Sequence, residues 1–277
     1  MNTLYKKVVS SALLGCLLSL TATAFGEVNH KPANAMPARF YAGVFGGGGV
    51  MSSTDVGLFG TVYFPEVNGG PLAVNAFTNA DSNGAGLIGA HIGMKSLTSL
   101  HLLTPVTPAI ELESYYMKSA KIKEHAFNNS TRLAENEFVV SYNLGTSVVM
   151  LNAVLNTHHQ LFGRLKPYLS VGVGPALVSN TGARAIQINP AEPGVNHFNS
   201  KRSDKAATFA TQAKLGANYD LDAKLKLYAE YRLLYLAETN YTLGSTIFAG
   251  HAETSAWHVR VEPQYYNLAV VGVDYSF

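Results

Sequence analysis

Hydrolytic chemistry needs a nucleophile or an activated water, a base beside it, and a group that orients the base. In this 277-residue chain the histidines are the natural bases. His91 falls inside a strand-like stretch, His158 and His159 fall in a turn, and His197 and His251 fall in two separate polar stretches. No His-x-Ser occurs, and no Ser, His and acid come together at one strand end. His158-His159 offers two imidazoles to a metal, but no third ligand follows at a recognisable spacing. The glycines at 46–49 lack the Lys and the helix that would make a phosphate loop. These residues assign no catalytic group, no metal ligand and no cofactor.

A second set of reactive side chains is patterned. Glu111 and Glu113 alternate with Ile110, Leu112 and Tyr116, while Glu230 and Arg232 alternate with Ala229, Tyr231 and Leu233. Lys214 alternates with Ala213 and Leu215. Period two puts each charge on one face of a strand and the apolar residues on the other. Five charges on inward faces must pair, because an unpaired buried charge is costly. Glu111, Glu113, Lys214, Glu230 and Arg232 therefore predict an interior polar network, with the apolar faces turned outward.

The elements that position them are eight strands, predicted near 39–50, 84–95, 107–117, 143–155, 165–178, 207–219, 223–236 and 264–277. Each has the 9–11 tilted residues that a bilayer crossing needs. Short turns such as "DLD" alternate with long connections, the up-and-down pattern of a membrane barrel. Asn68-Gly69-Gly70 marks a hairpin in the first long connection. That hairpin projects as an extension, folds inward as a plug, or adds two spans to give ten strands, although Pro65 and Pro71 disfavour further spans. The stretch 179–205 is too polar and Pro-broken to span, and it reads as a recognition loop or as a solvated loop that covers the barrel mouth. Replacing its part 186–200 by a short Gly/Ser linker is expected to leave barrel folding intact and to change ligand or cell binding.

Composition agrees. Charged residues are 14%, Tyr and Phe number 15 and 13, and Gly numbers 25. Residues 1–26 carry Lys6 and Lys7, an apolar run and Ala22-Thr23-Ala24, an export signal cleaved after Ala24 or Gly26. The single cysteine, Cys16, lies within it, so the remaining ~250 residues rely on no disulfide. Removing the two lysines leaves 18 basic against 18 acidic residues, which gives no electrostatic reason to expect nucleic acid. No run of eighteen apolar residues follows, so no membrane helix is expected.

The stretches "FYAGVFGGGG", "KPYLSVGVGPA", "LYAEYRLLYL" and "VGVDYSF" resemble the OmpA/OmpX-like outer-membrane β-barrel family over nearly the whole mature chain. "AVNAF" and "INPAEPGVNHFNS" are similar to surface proteins of Legionella-type bacteria. The resemblance implies an all-β, antiparallel transmembrane barrel in the outer membrane of a Gram-negative bacterium. The expected layout is an export signal (1–26), a short segment (27–38) and a barrel with four long extracellular loops (39–277). No wall-binding domain is expected after the barrel. In this family a terminal aromatic after alternating apolar residues resembles the signal read by the outer-membrane assembly machinery, which assigns that role to Tyr275 and Phe277. Other expected partners are outer-membrane lipid, lipopolysaccharide and a host or extracellular ligand, with one chain per barrel. The expected function is non-enzymatic: loop presentation for adhesion, or envelope integrity. A narrow small-solute pore is the alternative, and a lipid-modifying barrel enzyme comes third.

Overall fold

The computed structural model describes residues 38–98, 100–101, 105–119, 122–128, 132, 137–158 and 164–277. The export segment 1–26, residues 27–37 and His159 lie outside the described residues. In chain order the strands are β1 (Ala38–Met51), β2 (Thr54–Tyr63), β3 (Leu72–Ala80), β4 (Asn83–Ser96), β5 (Leu100–His101), β6 (Pro105–Ser119), β7 (Ile122–Asn128) and β8 (Glu137–Thr157). They continue with β9 (Leu165–Asn189), β10 (Asp204–Asp220), β11 (Leu225–Leu236), β12 (Thr239–Leu243), β13 (Glu253–Thr254), β14 (Trp257–Val261) and β15 (Gln264–Ser276).

Eight of these close a ring. Antiparallel pairing runs β1–β4–β6–β8–β9–β10–β11–β15 and returns to β1 through Tyr41↔Ser276 to Met51↔Tyr266. All eight predicted spans are present. The ring is inside-out relative to a water-soluble protein. Val44, Ile88, Ile92, Leu112, Leu151, Leu169, Leu215, Leu227 and Val271 are exposed on its outside, and Val271 keeps 64% of its surface. Glu111, Glu113, Lys214, Glu230 and Arg232 are buried inside. With its strands paired around a closed ring and no edge, such a belt suits hydrocarbon. Glycine leaves room for the large lumenal rings. A Cβ at Gly272 would run into the Tyr228 ring, and one at Gly93 into Tyr41. At the turn end, Asp222 accepts the backbone N–H groups of Lys224 (2.7 Å) and Leu225 (2.8 Å), which closes the β10–β11 turn and holds this carboxyl below its usual range.

The four long connections are present, but strands run far into them. This corrects the reading of 179–205 as a loop: β9 runs for 25 residues, to Asn189, and its far end pairs with the first part of the 21-residue β8. β6 stays beside β8 as far as Lys118↔Gly145, and β7 takes over at Ile122↔Tyr142. The β8–β9 register shifts at Ser141/Asn143, where the partners change. Beyond that point β7, β3, β2, β14 and β12 continue the sheet. The Asn68-Gly69-Gly70 hairpin is therefore part of a distal extension and adds no spans. Gly69 and Gly70 take the positive φ (94° and 69°) that this turn requires.

The extension has the opposite polarity to the barrel. Val56, Leu58, Val74, Val140, Tyr142, Tyr241, Trp257, Val259 and Val261 are buried within it, while Asp55, Asn75, Arg184, Asn240, His258 and Arg260 face outward. This is the pattern of a sheet in water. The switch of apolar side from outside to inside marks where the bilayer ends. The stretch 186–200 lies beyond the membrane ring, but it is not a free loop. The 186–189 part is strand paired with β8, and His197 and Phe198 are buried, Phe198 completely (0% exposed).

Candidate functional site

The predicted lumenal network forms as a single cluster. Lys214 Nζ donates to Glu111 Oε1 (3.0 Å) and also to Glu113. Arg232 donates through Nη1 to Glu113 Oε1 (2.6 Å) and through Nη2 and Nε to Glu230 Oε1 (2.6 and 3.1 Å). Strand register brings them together: Lys214 lies opposite Arg232 on β10–β11, and Glu111 lies opposite Asn152 on β6–β8. Neutral groups fill the remaining lone pairs. Asn152 Nδ2 donates to Glu111 Oε1 (3.0 Å), Tyr168 OH to Glu230 Oε2 (2.5 Å), and Tyr41 OH to Glu111 Oε2 (3.2 Å). The Arg232 guanidinium lies 5.0 Å from the Phe45 ring and 4.9 Å from that of Tyr115.

Sequence reasoning left three members out of the network: Asp274, His91 and Lys226. Asp274 bonds His91 Nε2 (2.8 Å) and sits 3.3 Å from Lys226 Nζ, which extends the cluster to β15. The alternation along "VGVDYSF" was the available signal, because Asp274 shares the inward face with Gly272. The cavity beside these groups is only about 30 Å³, about one water in size. Further along, the lumen is mainly apolar: Met117, Val148, Met150, Val178, Leu234, Leu236 and Leu268 are buried there, with Thr146 and Gln264 among them. His158 meets Thr107 Oγ1 at 2.6 Å at the turn end.

Among the described residues, two groups bring three potential metal ligands within 4.8 Å of one another. The first, His91 with Glu111 and Glu113, is already occupied by ammonium and guanidinium donors. The second joins two histidines that sequence reasoning placed in unrelated loops: His197 after β9 and His251 before β13, with Glu192. It lines a distal cavity of about 230 Å³ with Phe138, Gln187 and Trp257. Burial pushes the His197 imidazole down, which favours its neutral form.

Tyr275 and Phe277 lie together at the turn end, ring centroids 5.3 Å apart, and both are exposed on the outer face. The Phe277 N–H reaches Phe40 O at 3.0 Å, so the final residue is tied to β1. Their aromatic faces lie at the level where Lys224 stands 5.8 Å over Tyr275, the arrangement of an interfacial girdle.

No family model matches the chain, and no curated protein does. Among solved structures it is similar to Neisserial surface protein A, with 12% identity, 87% of this chain and 99% of that one covered, and a TM-score of 0.35. It is also similar to the outer membrane protease OmpT of Escherichia coli (10% identity, 90% and 100% covered, TM-score 0.37). The outer membrane protein OprG of Pseudomonas aeruginosa gives 11% identity, 87% and 95% covered, and a TM-score of 0.36. At these TM-scores the likeness transfers no activity. No helix among the described residues is long and apolar enough to cross a membrane. The closed eight-stranded ring, its apolar belt and its paired polar lumen make this chain an antiparallel transmembrane β-barrel.

Proposed function

We propose that the protein is a non-enzymatic, non-conducting anchor, similar in kind to the OmpA/OmpX-like barrels and to surface proteins of Legionella-type bacteria. It holds a rigid β-extension outside the cell for contact with a host or extracellular ligand. The observation that carries the non-conducting reading is the layer of Met117, Met150, Leu234, Leu236 and Leu268 across the distal half of the lumen. Ions need a wetted path, and an apolar constriction dewets. The charged cluster below it is cross-bonded and serves as filling. Its Glu111, Glu113 and Glu230 carboxylates are engaged by Lys214 and Arg232, and His91 is held by Asp274 through Nε2 while its Nδ1 has no partner.

The contact surface is best sought at the distal tips. Val67 keeps 92% of its surface at the β2–β3 turn, and Ile247 and Phe248 are exposed in the β12–β13 connection. The β2–β3 turn is braced by Arg132, which donates to Gly69 O (2.8 Å) and Gly70 O (3.0 Å). Exposed apolar groups on braced turns bind with little ordering cost. Outer-membrane lipid and lipopolysaccharide cover the belt, the assembly machinery reads Tyr275 and Phe277, and one chain suffices to close the barrel. Planar-bilayer recording and whole-cell binding test the two halves of this reading. The expected results are no conductance steps, and reduced binding to host cells or matrix proteins for a Val67→Asp, Ile247→Asp, Phe248→Asp triple variant that folds normally. Steady conductance refutes the anchor in favour of the small-solute pore, and undiminished binding removes the tips as the contact surface.

A further inference from the structure

Glu192, His197 and His251 are arranged as three electron-pair donors aimed at one point. Each histidine is oriented through its other nitrogen. His197 Nδ1 lies 3.0 Å from Ala185 O, and His251 Nδ1 lies 2.6 Å from Ala252 O. A carbonyl oxygen can only accept, so both Nδ1 atoms carry the proton. In the neutral ring of this tautomer, Nε2 presents a bare lone pair. The two Nε2 atoms face Glu192 Oε2 at 3.3 Å from His197 and 3.5 Å from His251. That oxygen is buried and has no hydrogen-bond donor. With both rings neutral, three acceptors converge with no donor between them, and a cation at that point, a proton or a metal ion, relieves their repulsion.

We propose that Glu192 Oε2, His197 Nε2 and His251 Nε2 bind a divalent transition-metal ion, zinc by ligand type, with the fourth position open to water from the distal cavity. The spacing fits. Zinc bonds of about 2.0–2.1 Å at tetrahedral angles set neighbouring ligand atoms about 3.3–3.4 Å apart, and two edges of the triangle match. The backbone carbonyls behind each Nδ1–H are the supports that hold metal-binding histidines in one tautomer. The ligands are themselves fixed. Glu192 N–H bonds Gln187 O (3.3 Å), His251 N–H bonds Phe248 O (3.1 Å), and Thr246 Oγ1 donates to His197 O (3.1 Å). The ion joins the β9–β10 connection to the β12–β13 connection, two stretches with no covalent link in a chain whose only cysteine lies in the export segment. Lys214 and Arg232 already answer the lumenal carboxylates near His91, so that group takes no metal.

The test uses the full-length, untagged barrel, refolded and stripped with EDTA. Folding is confirmed by heat-modifiable gel mobility, which reports the membrane ring. Zinc is measured after dialysis by elemental analysis, and cobalt(II) by its visible d–d bands. The wild type is expected to hold one equivalent and to give an intense low-coordinate cobalt spectrum. Glu192→Gln and His251→Ala are expected to lose at least about 100-fold in affinity, while His91→Ala and His258→Ala bind as the wild type does. Amide exchange in residues 190–200 and 246–252 should slow when zinc is added to the wild type alone. The proposal is overturned if the folded wild type takes up no stoichiometric zinc, or if Glu192→Gln and His251→Ala retain it. If either variant fails to fold, the cobalt spectrum and the exchange map of the wild type decide the matter alone: no low-coordinate bands and no local slowing overturn it.

Discussion

Replacing Arg232 by Met should unfold the barrel far more readily than its volume change would suggest. The guanidinium is fully buried and gives one bond to Glu113 and two to Glu230, at 2.6, 2.6 and 3.1 Å. Met keeps the contact with the Phe45 and Tyr115 rings but supplies no donor. Glu113 retains Lys214, whereas Glu230 is left with the Tyr168 hydroxyl alone. Breaking a buried pair by removing one partner costs about 3–5 kcal/mol. At 1.36 kcal/mol per decade, this is roughly two to four orders of magnitude in the folding equilibrium. Adding Glu230→Gln removes the stranded charge, so the double variant should be more stable than Arg232→Met alone. Arg260→Met is the control. Its partners Glu238 and Glu262 are well exposed, and such pairs are worth about 0–1 kcal/mol. Reversible urea titration in lipid vesicles, followed by far-UV circular dichroism, measures all three. The reasoning fails if Arg232→Met shifts the midpoint no more than Arg260→Met, or if the double variant is the least stable.

Three further outcomes are expected. Val271→Arg puts a cation on the exposed belt and should cost about 2–4 kcal/mol near the midplane and less towards the interface; an unchanged urea midpoint would mean that this face does not meet lipid. Deleting Phe277 should lower the heat-modifiable, folded form in outer-membrane fractions while export continues, and wild-type levels would dismiss it as an assembly signal. Phe198→Ala empties a fully buried site beside Trp257, with ring centroids 6.4 Å apart, at a cost of about 3–5 kcal/mol to the extension. Since Trp257 is the only tryptophan, its emission should shift red while the barrel keeps its heat-modifiable mobility, and an unmoved spectrum would contradict a packed extension.

The membrane ring was legible because two constraints act on every residue of it. Lipid outside and a narrow lumen inside force alternation, so Leu112 against Glu113 or Tyr231 against Arg232 declares its side. The distal extension has no such contrast in its small residues. Ala183 and Ala185 are buried within it, yet they are too short to mark a face, and Pro190 and Pro193 mask the strand that precedes them. The histidine cluster was invisible for another reason. Metal-ligand spacing is readable only when the ligands share one element, whereas His197 and His251 meet through the packing of two distant connections.

The extension also closes on itself. β9 is tied to the segment before β10 by Ala183 N–H to Arg202 O (2.9 Å), and that segment is tied to β12 by Gly244 N–H to Lys201 O (2.8 Å). At β12 the Thr242 N–H is taken by Asp204 Oδ2 (2.6 Å), and its carbonyl by Lys201 Nζ (2.9 Å). An extracellular protease must draw a stretch of substrate backbone into its cleft, and nicking concentrates at free, unpaired tips. Here β12 has both sides engaged, by β14 and by the segment before β10. A protease that meets this end of the sheet finds no free strand edge there to draw into its cleft.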